Sequence, residues 1–215
     1  MLANYFNLLC RGTAVSLGAW ALAGTVSLLL GTVLGVLSAR QLRFTKLRRL
    51  IRLYTFIMKG VPAYVQILIA YFVVPALIGL NLPGFLAATL ALAVCSSGYV
   101  TEIIRGGINA IYVGQWEAGR VLGLTNSATI RYVILPQAYR HILPALLGEL
   151  EQLLKSTALL ATIGVTELTR TGMNIISREL NPVPVYLTIA AIYLVLSALL
   201  NLLAFKLEQR LQVGH

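Results

Sequence analysis

The dominant pattern along the chain is a series of long apolar stretches separated by short polar segments. Residues 12–39 and 180–205 carry no charged side chain, and a longer uncharged stretch covers 60–101. A helix needs about 20 mainly apolar residues to cross the hydrocarbon core of a bilayer. The pattern therefore predicts transmembrane helices, the first near 13–39 and the last near 183–205.

The 60–101 stretch is too long for one membrane-spanning helix. Its middle is rich in residues that favour turns, namely Pro75, Gly79, Asn81, Pro83 and Gly84. We expect two spans on either side of this turn, near 53–78 and 84–104.

Hydropathy does not decide the role of residues 142–167. Glu149, Glu151 and Lys155 interrupt this otherwise apolar segment. One interpretation is an amphipathic helix that lies on the membrane surface. The other is a span whose polar face is covered by other helices or lines a cavity.

Composition and charge agree with a membrane protein. Hydrophobic residues make up 58% of the chain and charged residues 11%, which excludes an ordinary water-soluble domain. The net charge of +10 would suggest nucleic acid in a soluble protein, but membrane proteins collect Lys and Arg in cytoplasmic loops, so no nucleic-acid partner is expected. Six cations follow the first span and predict an external N-terminus: Arg40, Arg43, Lys46, Arg48, Arg49 and Arg52.

No arrangement of residues predicts a catalytic or metal site. The phosphate-binding pattern Gly-x-x-x-x-Gly-Lys-Ser/Thr is absent from the sequence, and His141 and His215 lie far apart along it. We therefore expect no metal, no bound cofactor and no enzymatic activity in this chain.

A polar segment, 106–141, follows the third predicted span. Residues 115–122 predict a short helix, and Gly123 can end it because glycine accepts the left-handed conformation. Thr125, Asn126 or Ser127 can cap a second helix, which is expected to run to about Leu135, before Pro136. We call residues 115–135 the knob, and expect it to face the cytoplasm.

The knob resembles the EAA motif of the membrane subunits of binding-protein-dependent ABC importers. That motif reads Glu-Ala-Ala, three residues, Gly, nine residues, Ile-x-Leu-Pro; here Gly119 and Val133 are mild departures. The resemblance implies that Glu117 to Leu124 is a coupling helix, docked in a cleft of the ATP-binding subunit. The coupling residues it implies are Glu117, Ala118, Gly119, Leu122, Gly123, Leu124, Leu135 and Pro136.

The resemblance extends over roughly 55–172. In this region the chain is similar to the polar amino-acid branch of these permeases, the histidine, glutamine and arginine type. It rests on Lys59 to Pro62 with Gln66, Ser97 to Ile108, Lys155 to Leu160 and Val165 to Thr169. It implies an all-α membrane protein with five transmembrane helices, 142–167 being the fourth. The N-terminus is then outside, the C-terminus in the cytoplasm, and the coupling segment 106–141 between spans three and four.

The function implied by the resemblance is that of a multi-pass pore subunit in the bacterial cytoplasmic (inner) membrane, importing polar amino acids by alternating access. The implied partners are an ABC ATPase subunit that holds ATP and Mg, a second permease subunit of the same or another chain, a solute-binding protein, membrane lipid and a small amino-acid substrate. Two alternatives stay open: a permease of the same family for another small solute, such as an opine or a cystine-like compound, and a membrane scaffold that lost transport.

A zwitterion that crosses a low-dielectric region needs partners for both charges, so polar residues within the spans are substrate-pathway candidates. We predict Lys59, Gln66, Glu102, Ser156 and Thr157 for this role. Structural roles compete with it. Glu102 can pair with Arg105, Glu151 with Lys155, and Lys59 can extend to the membrane interface. Glu149 and Glu167 are further candidates that could equally lie between helices.

Overall fold

The computed structural model describes residues 2–40, 45–79 and 81–212, and every regular element in these ranges is helical. Side chains are described for 5–40, 45–79 and 81–209, so the predicted cation Arg43 lies outside the described residues. The α-helices are α1 (Leu2–Leu37), α2 (Thr45–Gly60), α3 (Ala63–Leu68), α4 (Val74–Ile78), α5 (Gly84–Ala110), α6 (Val113–Val121), α7 (Asn126–Thr129), α8 (Leu135–Ser156), α9 (Leu168–Glu179) and α10 (Pro182–Gln212).

Three helical stretches are long and apolar enough to cross a membrane: Tyr5–Leu37, Gly84–Ala110 and Pro182–Gln209. Helix α2 and the stretch Ala63–Ile78 qualify together as a fourth, bent by 101° at the break between them. The prediction of an all-helical membrane protein is confirmed. Helix α8 contains Glu149, Glu151 and Lys155, which explains why hydropathy leaves it undecided.

Helices α1 and α5 form the centre of the bundle and run side by side in the same direction. Gly31 faces Val100, and one turn later Gly35 faces Ile104. A Cβ atom added to either glycine would lie 2.5 Å from the Cβ atom of its partner, so the two backbones approach closely at these positions. The Gly31-x-x-x-Gly35 spacing is therefore a packing feature of this helix pair.

The break after α2 is a feature that hydropathy misses, because the residues on both sides of it are apolar. Pro62 precedes α3 with an extended backbone, and the helix axis turns there. The last carbonyls of a helix have no partner within the helix. The Gln66 side chain supplies one, since its Nε2 atom donates to the Met58 oxygen at 2.9 Å and to the Val61 oxygen at 2.8 Å.

Two of the prolines within helical stretches, Pro75 and Pro136, follow a π-helical turn. Ile69–Val73 precedes Pro75, and Ile130–Ile134 precedes Pro136. The expectation that the second knob helix stops at about Leu135 is therefore wrong, because helix continues as α8 to Ser156. Proline lacks an N–H and its ring crowds the carbonyl four residues earlier; the wider π turn accommodates both defects.

The segment that follows α8 changes helix type before it reverses. A 3-10 helix covers Thr157–Ile163, and Gly164 takes the left-handed conformation with φ 84°. Glu167 then caps α9, because its carboxylate accepts from the backbone N–H groups of Thr169 at 2.9 Å and Arg170 at 2.7 Å.

Glu167 also joins three helices. It is 0% exposed, and its carboxylate accepts further hydrogen bonds from the hydroxyls of Ser16 on α1 and Tyr193 on α10, both at 3.2 Å. An apolar cluster surrounds this junction, with Leu9, Leu168, Ile175, Val185 and Ile189 as its buried members. Buried carboxylates are stable only when hydrogen-bonded, and four donors meet this need here.

The Glu167→Ala variant is expected to lower the melting temperature of the detergent-solubilised chain markedly. It leaves buried donors without an acceptor, at a cost of about 1–3 kcal/mol for each such group. Glu167→Gln should lower it less, since one acceptor oxygen remains. The control is Glu117→Ala, which removes an exposed carboxylate. Equal melting temperatures for the Glu167→Ala and Glu117→Ala variants would contradict the structural role.

Candidate coupling surface and substrate pathway

The knob is anchored to the bundle by one aromatic side chain. Trp116 on α6 is 2% exposed and belongs to a cluster contributed by α5 and by the helical residues that lead into α8. Its buried partners include Ile108, Ile111, Ile130 and Ile134. A hydrogen bond from Gln137 Nε2 to Gln115 Oε1, at 3.3 Å, also links α8 to α6.

Gly119 explains one departure from the family motif. A Cβ atom at this position would lie 2.7 Å from Thr129 Cγ2 and 2.8 Å from Thr129 Oγ1, both closer than such atoms normally approach. The family pattern has alanine here, whereas this chain has Thr129 in contact with the helix. Glycine therefore allows α6 to pack against α7.

Gly123 ends α6 in the way that its sequence position predicts. It adopts the left-handed conformation, with φ 71°. Its N–H donates to the Arg120 oxygen and the Leu124 N–H donates to the Gly119 oxygen, each at 3.0 Å, which together form a Schellman C-cap. Thr125 then caps α7, because its hydroxyl oxygen accepts from the Ala128 N–H at 3.2 Å.

The face of α6 opposite Trp116 is an exposed apolar stripe with one carboxylate. Val113, Glu117 and Val121 repeat every four residues, and Leu122 follows them. Val121 is 87% and Leu122 75% exposed, which is typical of a surface that binds another protein. Of the other predicted coupling residues, Ala118 and Pro136 are exposed, Leu124 and Leu135 are half-buried, and Gly119 is buried.

A cavity of about 230 Å³ lies where the α2–α3 bend meets α5 and α8. Its polar lining residues are Lys59, Ser96, Tyr99, Glu149, Gln152 and Ser156. Lys59 Nζ lies 5.6 Å from the centre of the Tyr99 ring, within the range of a cation–π interaction. The Ser96 hydroxyl donates to Glu149 Oε1 at 2.7 Å. The wall thus carries one positive and one negative side chain.

The cavity contains two of the five predicted pathway residues, Lys59 and Ser156. Gln66 instead bonds the backbone at the α2–α3 bend, as described above. Glu102 forms an ion pair with Arg105. Thr157 is buried, and its hydroxyl donates to the Leu154 oxygen at 2.7 Å.

Sequence reasoning missed Ser96 and Gln152 as cavity residues and left Glu149 undecided. A signal for α8 was present, because Glu149, Gln152 and Ser156 are spaced by three and four residues and so share one helix face. Glu151 belongs to another face, where its carboxylate pairs with Lys155 Nζ at 3.1 Å. The helical period therefore separates the acid that lines the cavity from the acid in a local ion pair.

A helical membrane bundle with a polar cavity and an exposed apolar stripe has the features expected of a permease that another protein drives. The family described as the binding-protein-dependent transport system inner membrane component matches residues 31–213. The chain belongs to this family, which confirms the resemblance drawn from the knob. It is thus the transmembrane permease subunit of an ABC importer and not an enzyme, since ATP hydrolysis belongs to a separate subunit.

Curated relatives cover most of the chain. The glutamine transport system permease protein GlnP of Escherichia coli K12 is 37% identical over 158 residues, which are 73% of this chain and 72% of that protein. The arginine transport system permease protein ArtQ of Bacillus subtilis 168 is 33% identical over 202 residues, which are 94% of this chain and 91% of that protein.

Solved structures agree on the fold. A crystal structure of an amino acid ABC transporter with histidines has a TM-score of 0.88 and 36% identity, covering 97% of this chain and 96% of that one. An inward-facing structure of the MetNI methionine ABC transporter has a TM-score of 0.86, covering 98% and 99% of the two chains. At 21% identity, this second similarity concerns the fold alone.

Proposed function

We propose that this chain is the pore subunit of an importer of polar amino acids in a bacterial inner membrane. The observation that carries the proposal is the cavity between α2, α5 and α8, whose wall holds Lys59 and Glu149. An amino acid carries an ammonium and a carboxylate, and both need partners where water is scarce. The related permeases named for glutamine and arginine transport support the same substrate class.

The two alternative functions receive less support. An opine-like or cystine-like solute would also carry both charges, but the relatives named above transport ordinary amino acids. A scaffold that had lost transport would have no need of the exposed stripe on the knob. The transport of polar amino acids is therefore the function we propose.

Five crossings, with bounds near 13–39, 53–78, 84–104, 142–167 and 183–205, are part of the proposal. The parallel packing of α1 and α5 supports it, because the chain must return across the bundle between them. Helices α8 and α5 are antiparallel. Gly107, late in α5, faces Ile142, early in α8, whereas Ser96, earlier in α5, donates to Glu149, later in α8. Helix α8 thus makes the second return, and α10 adds the fifth crossing.

The proposed orientation puts the N-terminus outside and the C-terminus in the cytoplasm. The Arg40 N–H donates to Asn109 Oδ1 at 3.0 Å, which joins the end of α1 to the end of α5 beside the knob. The basic residues Lys46, Arg48 and Arg49 follow at the start of α2, so cations and knob share one end of the bundle. Lys and Arg concentrate on the cytoplasmic side of membrane proteins, which is where an ATPase would dock.

The proposed mechanism transmits force from the ATPase through Trp116. The ATPase engages the exposed stripe of α6, and Trp116 joins that helix to the helices that line the cavity. A second permease subunit would complete the pore, and a solute-binding protein would deliver the substrate at the other end. Movement of the knob would then tilt α5 and α8 and expose the cavity to alternate sides.

The test is ATP-dependent uptake of a mixture of labelled amino acids into proteoliposomes that contain this chain, its co-purifying ATPase and a solute-binding protein. Gly123→Val should reduce uptake about tenfold, because a side chain in the left-handed conformation costs roughly 1–2 kcal/mol and displaces the C-cap. Insertion into the membrane should be unchanged.

The matched control is Gly148→Val, which introduces the same side chain in α8, where a Cβ atom meets nothing within 4 Å. Uptake by the Gly148→Val variant should stay near that of the unmodified chain. Normal uptake by the Gly123→Val variant would refute the coupling role. ATP-dependent uptake of other solutes, with no uptake of amino acids, would instead refute the proposed substrate class.

A further inference from the structure

A second cavity, of about 210 Å³, lies between the first part of α1 and α9, at the end of the bundle opposite the knob. Helices α1 and α9 approach closely beside this cavity, since a Cβ atom on Gly12 would lie 2.6 Å from Thr171 Oγ1. At one end the Tyr5 hydroxyl donates to the Glu179 carboxylate. The cavity shares no lining residue with the proposed substrate cavity or with the knob.

Two guanidinium groups belong to the lining of this cavity, those of Arg11 and Arg178. Arg105–Glu102 and Lys155–Glu151 are ion pairs in this structure, and no ion pair of Arg11 or Arg178 occurs among the side chains that it describes. Asn174 and Thr166 add an amide and a hydroxyl. The lining therefore combines two positive charges with hydrogen-bond donors, which favours an anion with several oxygens.

The other wall of the cavity is apolar and continues onto the surface of the bundle. Leu8, Val15 and Ile175 are among the lining residues. Leu8 is 41% exposed, so this apolar wall reaches the surface of α1. A ligand held by the arginines would therefore have exposed hydrocarbon surface beside it on a helix long and apolar enough to cross the membrane.

We infer that this cavity binds the headgroup of an anionic phospholipid such as phosphatidylglycerol. The two arginines would hold the phosphate, Asn174 and Thr166 would face the glycerol hydroxyls, and the acyl chains would lie along α1. Guanidinium groups bind phosphate oxygens in pairs of hydrogen bonds, and an apolar helix face beside them can hold acyl chains. A free phosphate ion has the same anionic chemistry, but it has no apolar part that could contact the apolar wall. An acidic side chain of a soluble protein likewise has no acyl chains that could contact this wall.

The bound lipid would link α1 to α9. This inference does not depend on the transported substrate, because it concerns residues at the far end of the bundle. It also differs from general attraction of cations to a charged membrane, since it predicts one discrete site whose occupancy saturates.

The experiment is native mass spectrometry of the full chain in detergent micelles, titrated separately with phosphatidylglycerol, phosphatidylcholine and inorganic phosphate. We expect one saturable phosphatidylglycerol molecule. The Arg11→Gln/Arg178→Gln variant should bind it about 25-fold more weakly, at roughly fivefold for each cation. The Arg120→Gln/Lys206→Gln variant loses the same charge elsewhere and should bind it normally.

A third variant, Asn174→Leu, tests the polar lining of the cavity, because it removes the amide donor and acceptor while nearly keeping the shape and the charge, and it should also weaken binding. Each of three results would overturn the inference: equal affinity for phosphatidylcholine, displacement of the lipid by inorganic phosphate at similar concentration, or unchanged lipid binding by the double arginine variant. If that variant keeps the lipid but fails to bind the purified solute-binding protein, the arginines form a protein docking site instead.

Discussion

Replacing Glu149 with glutamine is expected to lower ATP-driven amino-acid uptake by roughly tenfold or more. Hydrogen bonds to a charged group are worth about 1.5–3 kcal/mol, and this variant removes the charge that would hold the substrate ammonium. The shape of the side chain is kept, and the Ser96 hydroxyl still finds an acceptor oxygen. The substitution should therefore reduce transport without destabilising the fold.

The measurement is initial uptake by proteoliposomes, accompanied by the melting temperature of each purified variant. Glu151→Gln is the matched control, since it makes the same change two residues later in α8, in an ion pair with Lys155 that does not line the cavity. Surface pairs of this kind contribute little to stability. Equal loss of uptake in both variants would mean that Glu149 has no specific role in transport that depends on its position in the cavity.

Trp116→Ala is expected to uncouple transport from ATP hydrolysis and to destabilise the chain. Replacing a buried tryptophan by alanine costs about 3–5 kcal/mol, because the transfer free energy is lost and a void remains. Trp116 joins α6 to the cluster on α5 and α8, so the knob should lose its fixed position. Uptake per ATP hydrolysed should fall well below that of the unmodified chain.

Trp116→Phe separates the packing role of this side chain from its polar atom. The indole Nε1 atom is buried and has no hydrogen-bond partner, so its removal sacrifices no hydrogen bond. The phenylalanine variant should consequently keep most of the coupling that the alanine variant loses. Uptake and ATP hydrolysis are measured in the same proteoliposomes. Equal damage from both substitutions would argue that a tryptophan-specific contact, and not apolar packing, transmits the movement.

The local features of the knob could be predicted because they depend on neighbours in the chain. Gly123 was expected to end a helix, and its φ of 71° with the two C-cap hydrogen bonds agrees. Thr125 was one of three candidate caps, and it is the one that accepts from Ala128. The continuation of helix through Pro136 was mispredicted, since a π turn is a backbone adjustment with no clear signature in the residues.

The role of Gln66 shows where sequence reasoning stops. A polar side chain in an apolar stretch is a reasonable candidate for substrate contact. Its amide instead bonds the carbonyls freed by the α2–α3 bend, and that bend has no hydropathy signal. Glu102 is a second instance, because its local pairing with Arg105 was an open alternative that only the geometry could select.

The sequence by itself determined the helical membrane class, the exposed knob and the family, because apolar runs, caps and motifs are properties of neighbouring residues. Only the tertiary structure decided which polar groups share a cavity. Lys59, Ser96 and Glu149 come from three helices that are distant along the chain, and helix direction and rotation bring them together. The same holds for Arg11 and Arg178, whose proximity follows from the close packing of α1 against α9 at Gly12.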